Sequence, residues 1–289
     1  MSSDNNIALR LYPPPGKCIY CFDEQSALTD EHIIPLALQG VMIFERASCE
    51  KCRAITSRVE TIVIKTLEHF RARHRLNKRK PNTRKKSYSF DAIGGDGVKR
   101  RASIPVAEIP ATAVLYKFGP ANILQGKPPF DPTFNWLPVL HCNADELNRA
   151  VKKYGWNGGV RTKMVPGEFA RMLAKIGYSY AIAELGFGAF EPLCLDIILG
   201  KASNYSYVVG GSFDVKPQPD STSDHFIGLG LYEQPNLPKL VVVLIRLFQQ
   251  MGSPHHYVIV GRLQTEAQII RMNKHLSDGS SVKMVYPGI

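Results

Sequence analysis

The sequence predicts an α+β fold in two parts, a small N-terminal unit clipped by cysteines and a mixed α+β domain with a mainly antiparallel sheet. Three observations carry this. Two C-x-x-C pairs, Cys18/Cys21 and Cys49/Cys52, stand with 27 residues between them. An apolar stripe of helical period follows the second pair. Beyond residue 105, strand-like runs alternate with helical ones and end in the nearly all-apolar Leu240–Leu247, which reads as a buried central strand. At 289 residues and 44% apolar content the chain can bury a core as one large domain or two modest ones.

The elements follow in order. Residues 1–15 read as an irregular lead-in ending in Pro13, Pro14 and Pro15. Cys18–Cys21 is a knuckle. Residues 28–35 are short and mixed, with Pro35 ending any strand, and a tight region around Gly40 precedes the second knuckle. From about Glu50, Ile55, Val59, Ile62, Val63, Leu67 and Phe70 form one stripe of an amphipathic helix that frays near Asn77 and ends by Pro81. A loop or hairpin spans 82–104. Strands are expected over 111–118, 134–142, 205–209, 225–232, 240–248 and 257–260. Helices are expected after Asn143, over 169–185 and over 191–199. Met251-Gly-Ser-Pro254 turns the last two strands into a hairpin. The division is 1–80 for the N-terminal domain, 81–104 for a basic, glycine-containing linker, and 105–289 for a domain of regulatory, dimerisation or target-recognition role.

Charge narrows the partners. The net charge is +11, and residues 71–86 alone hold nine basic and no acidic side chains, which leaves +2 on the other 273 residues. A near-neutral body with one basic segment suits a polyanion, most often nucleic acid; a solvated linker is the plainer alternative. No run reaches the roughly 18 apolar residues of a membrane span, and the start lacks a secretory pattern, so a cytoplasmic protein with no membrane partner is expected. Disulfides are then improbable. The two C-x-x-C pairs read as a single four-thiolate zinc site, because each turn presents two sulfurs to one point and two turns complete a tetrahedron. Cys142 and Cys194 read as small buried side chains.

Between the knuckles lies Thr29-Asp30-Glu31-His32-Ile33-Ile34-Pro35. The order C-x-x-C, acidic-His-Ile-Ile-Pro, C-x-x-C, helix resembles the HNH (ββα-metal) endonuclease superfamily, in its zinc-knuckle form, over residues 17–75. The resemblance implies a hairpin packed on a helix, structural Zn²⁺ on Cys18, Cys21, Cys49 and Cys52, and a Mg²⁺ or Mn²⁺ ion in the cleft. His32 is then the general base on the attacking water, and Glu31 a ligand of the hard cation. Because consecutive strand side chains face opposite ways, this further implies a distorted strand at Glu31–His32.

One position departs from the pattern. The family usually has Asn or His directly after the second knuckle, as a metal ligand; here it is Arg53, which has no acceptor, and the middle Asn of the motif is absent too. Glu60, two turns on, could replace the ligand, although it lies about 10 Å further along the axis. Thr56 could hold a metal-bound water. Alternatively Arg53 contacts the scissile phosphate by its fork and the ion has fewer protein ligands; this last is preferred.

The function expected is a metal-dependent endonuclease hydrolysing DNA rather than RNA, a type often found in bacterial and phage defence. The alternative is a catalytically degenerate zinc-knuckle nucleic-acid binder. Arg53, Arg58, Arg71, Arg73, Lys78, Arg79, Lys80, Arg84, Lys85 and Lys86 would contact the backbone and position it without reading sequence. A homodimer or an activating partner is compatible with the C-terminal part. His69 and His74 read as helix-surface or phosphate-facing, and His255–His256 as a cap or solvent-facing pair.

Overall fold

The computed structural model describes residues 9–74, 76, 86–93, 96–155, 163–212, 225–235 and 238–278. In the N-terminal part, β1 (Arg10–Tyr12) runs parallel to β3 (Met42–Cys49), and β2 (Leu28–His32) pairs antiparallel on the other side of β3. Helix α1 (Glu50–Thr66) leaves β3 directly. Pro35 ends the extended segment and its carbonyl accepts from Leu38 N–H, closing a turn. Gly40 is obligatory beside it, since a Cβ there would lie 1.9 Å from the Ile34 carbonyl oxygen.

The expected long helix divides. Leu67 leaves helical geometry at φ −101°, ψ 13°, and α2 (Glu68–Arg73) takes over. The apolar stripe continues across the break: Val59, Val63, Leu67 and Phe70 are all buried. The loop-or-hairpin segment is a hairpin, β4 (Ser87–Ile93) with β5 (Lys99–Pro105), and β6 (Thr112–Phe118) pairs with β7 (Trp136–Cys142) in a second one. Asn143 caps α3 (Ala144–Tyr154), accepting from Glu146 N–H at 3.1 Å.

A five-stranded sheet forms the C-terminal part. It comprises β10 (His225–Tyr232), β11 (Leu240–Leu247) and β12 (His255–Arg262), with the short β8 (Glu191–Pro192) and β9 (Val209–Ser212) both on β12. All its pairings are antiparallel. The expected helix over 191–199 shrinks to one turn, α5 (Leu195–Ile198), because 191–192 pair with β12 and Leu193 N–H donates to Val260. The expected strand over 205–209 is a tight turn at Tyr205–Tyr207, followed by β9. Helix α6 (Glu266–Ser277) opens with a Thr265/Gln268 capping box.

Helix α4 (Pro166–Leu185) ties the halves together. It packs on α1 on one side and on β11 and β12 on the other, and Met172 through Ile182 is buried without a break. Such a helix, covered all round, belongs inside a core. Gly177 allows the close approach to β12: a Cβ there would stand 3.0 Å from the Val258 Cβ. Tyr178 Oη donates to the Ile19 carbonyl at 2.8 Å, and Glu184 accepts from Tyr12 and pairs with Arg10 at 2.7 Å. Apolar side chains of both halves therefore join in one buried cluster. Among the described residues, no helix is long and apolar enough to cross a membrane.

His256 does not face solvent, whereas His255 is only partly covered. His256 is 2% exposed, its ring lies between Phe118 and Phe169, and Nε2 donates to the Tyr116 carbonyl at 2.6 Å. Both start the central strand β12, whose pleat carries His256 into the core. Burial lowers the His256 pKa to about 4, whereas an unfolded histidine titrates near 6.5. The unfolded chain binds more protons between those values, so this contribution is complete above about pH 6.5 and is lost as the pH falls toward 4. Thermal melts at pH 7.5 and about pH 5 are expected to differ, with His256 accounting for about 2 kcal/mol. His256→Gln should narrow that gap; an unchanged gap would show that His256 is not the group titrating.

Candidate metal centre and acidic cleft

The four cysteines meet as expected. Cys18 and Cys21 sit in the loop before β2, Cys49 ends β3, and Cys52 lies in the first turn of α1. All four Sγ atoms lie within 4.8 Å of one another, and Cys21 Sγ stands 3.7 Å from Cys49 Sγ. Zn–S bonds of about 2.3 Å in a tetrahedron place sulfurs about 3.8 Å apart, so the cluster fits zinc. The knuckle is built by backbone: Phe22 N–H donates to Cys18, Cys18 N–H to Asp23, and Ile19 N–H to Ala47 on β3. Phe22 adopts φ 62°, uncommon for a bulky residue. Burial pushes the Cys18 and Cys52 thiols up, so a cation that exchanges for their protons supplies the charge that would favour thiolates. A metal there would fasten the knuckle loop, the end of β3 and the start of α1 to one point.

Next to this cluster opens a cleft of about 530 Å³, lined among others by Glu31, His32, Arg53, Thr56 and Glu60. β2 is distorted at Asp30, one residue before the expected place, while Glu31 and His32 pair regularly with Phe44 and Ile43. Its register against β3 shifts between Thr29 and Glu31, Arg46 opposite adopts φ 44°, and Arg46 N–H donates to Asp30. Glu31 and His32 both line the cleft, Glu31 buried and His32 partly exposed.

Glu31 and Glu60 also converge, and what joins them is Lys175 of α4. Its Nζ lies 2.5 Å from Glu31 Oε1 and 2.8 Å from Glu60 Oε1, donates to the His32 carbonyl, and reaches the Ile33 carbonyl at 3.3 Å. The Lys175 and Glu31 side chains are 3% and 6% exposed and Glu60 is 18% exposed, so all three are shielded from water. Burial pushes the Glu31 carboxyl up, with Glu60 adding to it and Lys175 opposing. Burial also works against the Lys175 charge, but the two carboxylates overcome it and hold the ammonium above its usual range. Tyr20 is buried beside them, and burial together with both glutamates raises its hydroxyl pKa.

The remaining expected residues divide. Arg53 lines the cleft with its fork closed on Glu50, Nε to Oε2 at 2.7 Å and Nη2 to Oε1 at 2.5 Å, both side chains exposed. Arg58 and Lys86 are exposed. Arg71 is half-buried and donates to the Ala37 carbonyl at 2.8 Å, and Arg73 pairs with Glu146 at 2.9 Å, so neither side chain is simply presented to solvent. Lys78, Arg79, Lys80, Arg84 and Lys85 lie outside the described residues. His69 packs on Tyr88 and Phe90, and His74 on Phe70. Cys194 is buried, as expected of a small core side chain, while Cys142 is only partly covered.

Sequence reasoning missed Lys175. A signal was present: it is the single charged residue between Met172 and Ile182, and a charge in such a run needs a buried partner. A comparison of the chain with protein-family models gives no match, and comparisons with curated proteins and with solved structures give none either.

The purified chain is expected to hold one equivalent of zinc, measured by elemental analysis, and Cys52→Ser to lose it. Chelation should destabilise the fold by more than about 5 kcal/mol in denaturant titration. A metal-free preparation of equal stability would mean that the four thiols have no metal to hold.

Proposed function

We propose that the chain is a nucleic-acid phosphodiesterase of the HNH type, acting on DNA in preference to RNA, with the catalytic water at His32. The observation supporting it is that His32, Glu31, Glu60 and Arg53, the residues that the HNH resemblance singles out, line one cleft beside the four-cysteine cluster. In this reading a backbone phosphate enters the cleft. The His32 imidazole takes a proton from water, the resulting hydroxide attacks phosphorus, and the leaving oxygen departs on the opposite side. Arg53 exchanges its fork from the exposed Glu50 carboxylate to the phosphate, a substitution of one planar anion for another. Arg58 and the basic segment after α2 supply salt-dependent affinity.

The resemblance also implies a hard divalent ion at Glu31. Glu31, Glu60 and the His32 carbonyl form an oxygen set suited to one, yet the Lys175 ammonium holds the point they share. As arranged, these residues do not fit an added divalent ion. Lys175 and the Arg53–Glu50 fork favour a second reading, in which the same unit binds nucleic acid without cutting it.

Zinc-loaded protein incubated with supercoiled plasmid is expected to nick it. His32→Ala should slow nicking by about 100-fold to 10,000-fold while leaving the gel-shift midpoint nearly unchanged. Equal binding with no nicking by either protein is the result that selects the second reading.

A further inference from the structure

We propose that Lys175 is a built-in cation: its ammonium holds the Glu31–Glu60 carboxylate pair in place of a divalent ion, so that the cleft at His32 is charge-compensated from within the chain. The occupancy stands on geometry alone, and only its meaning for catalysis rests on the phosphodiesterase reading.

Four oxygens surround the one nitrogen: two carboxylates and the carbonyls of His32 and Ile33. An ammonium has three donors, so its capacity is fully used. The carboxylate contacts, 2.5 and 2.8 Å, leave no room for a second cation between the same oxygens. The metal and the ammonium exclude each other.

The lysine is delivered rigidly. It sits mid-way in the buried stretch Met172–Ile182, and Tyr178, one turn on, is tied to the Ile19 carbonyl beside the cysteine cluster. Withdrawing the ammonium would leave Glu31, 5% exposed, without its counter-charge. Breaking a buried pair by removing one partner is strongly destabilising.

The departure at Arg53 has the same sense. The position after the second knuckle, a metal ligand in the proteins the N-terminal unit resembles, holds a residue that cannot ligate. One ligand is lost and one cation is gained, and the two changes together suit a cleft that keeps its carboxylates without recruiting an ion.

The test is Mn²⁺ binding by the zinc-loaded full chain, read from the loss of the free-ion EPR signal. Wild type should bind no Mn²⁺ at this site across the submillimolar range. Lys175→Met, which keeps the length and removes the charge, should gain one site with affinity higher by about tenfold or more, and adding Glu60→Gln should abolish the gain. Wild-type binding that Glu60→Gln removes would overturn the proposal, as would a folded Lys175→Met that binds none. If Lys175→Met does not fold, NMR of the ¹⁵N-labelled lysine side chains in wild type decides. A solvent-protected ammonium signal untouched by Mn²⁺ supports the proposal, and one broadened away by it refutes it. Absence of plasmid nicking leaves each of these readouts intact.

Discussion

Two carboxylates cannot share a dry pocket without a cation between them. At Glu31 and Glu60 that cation is Lys175, and much of the architecture follows from the need to bring it there. Glu31 comes from a distorted β2, Glu60 from the second turn beyond the knuckle on α1, and Lys175 from α4, some 140 residues after the first. Because the three are buried together, β2, α1 and α4 must all be in place before any of them is compensated. The ion cluster is thus a registration device between the N-terminal unit and the sheet-bearing part as well as the floor of the cleft.

The four-cysteine cluster fixes the other side of the same unit. β1 has only three residues and β2 five, so the knuckle loop has little restraint from strand pairing beyond the Ile19–Ala47 hydrogen bond. A metal on four sulfurs would supply that restraint. With Lys175 on one side and a metal, were one bound, on the four sulfurs on the other, β2 would be restrained from two directions. That is the condition for presenting an imidazole in a defined direction, and it is what the proposed hydrolytic role of His32 requires.

Some of this was legible in the sequence for a physical reason. C-x-x-C spacing encodes its geometry locally, and so does the 3.6-residue stripe from Val59 to Phe70, whose burial the structure shows. The register of Leu240–Leu247 as a central strand was equally plain, since an apolar run of that length has no solvent face. What was not legible depended on partners distant in the chain. His256 resembled a capping or solvent-facing residue because its covering residues, Tyr116, Phe118 and Phe169, come from elsewhere. Glu60 carries no sequence signal for its partner, because Lys175 is 115 positions away. Neither the convergence of Glu31 with Glu60 nor the lysine between them followed from spacing, which sets Glu60 about 10 Å further along the axis than Arg53.

The most direct test of this account is crystallographic. Zinc-loaded crystals soaked in Mn²⁺ would be measured at the zinc and manganese absorption edges. The account predicts one zinc peak among Cys18, Cys21, Cys49 and Cys52, and Lys175 Nζ between Glu31 and Glu60 with no manganese peak. A manganese ion on Glu31 and Glu60, with the lysine turned aside, would contradict it.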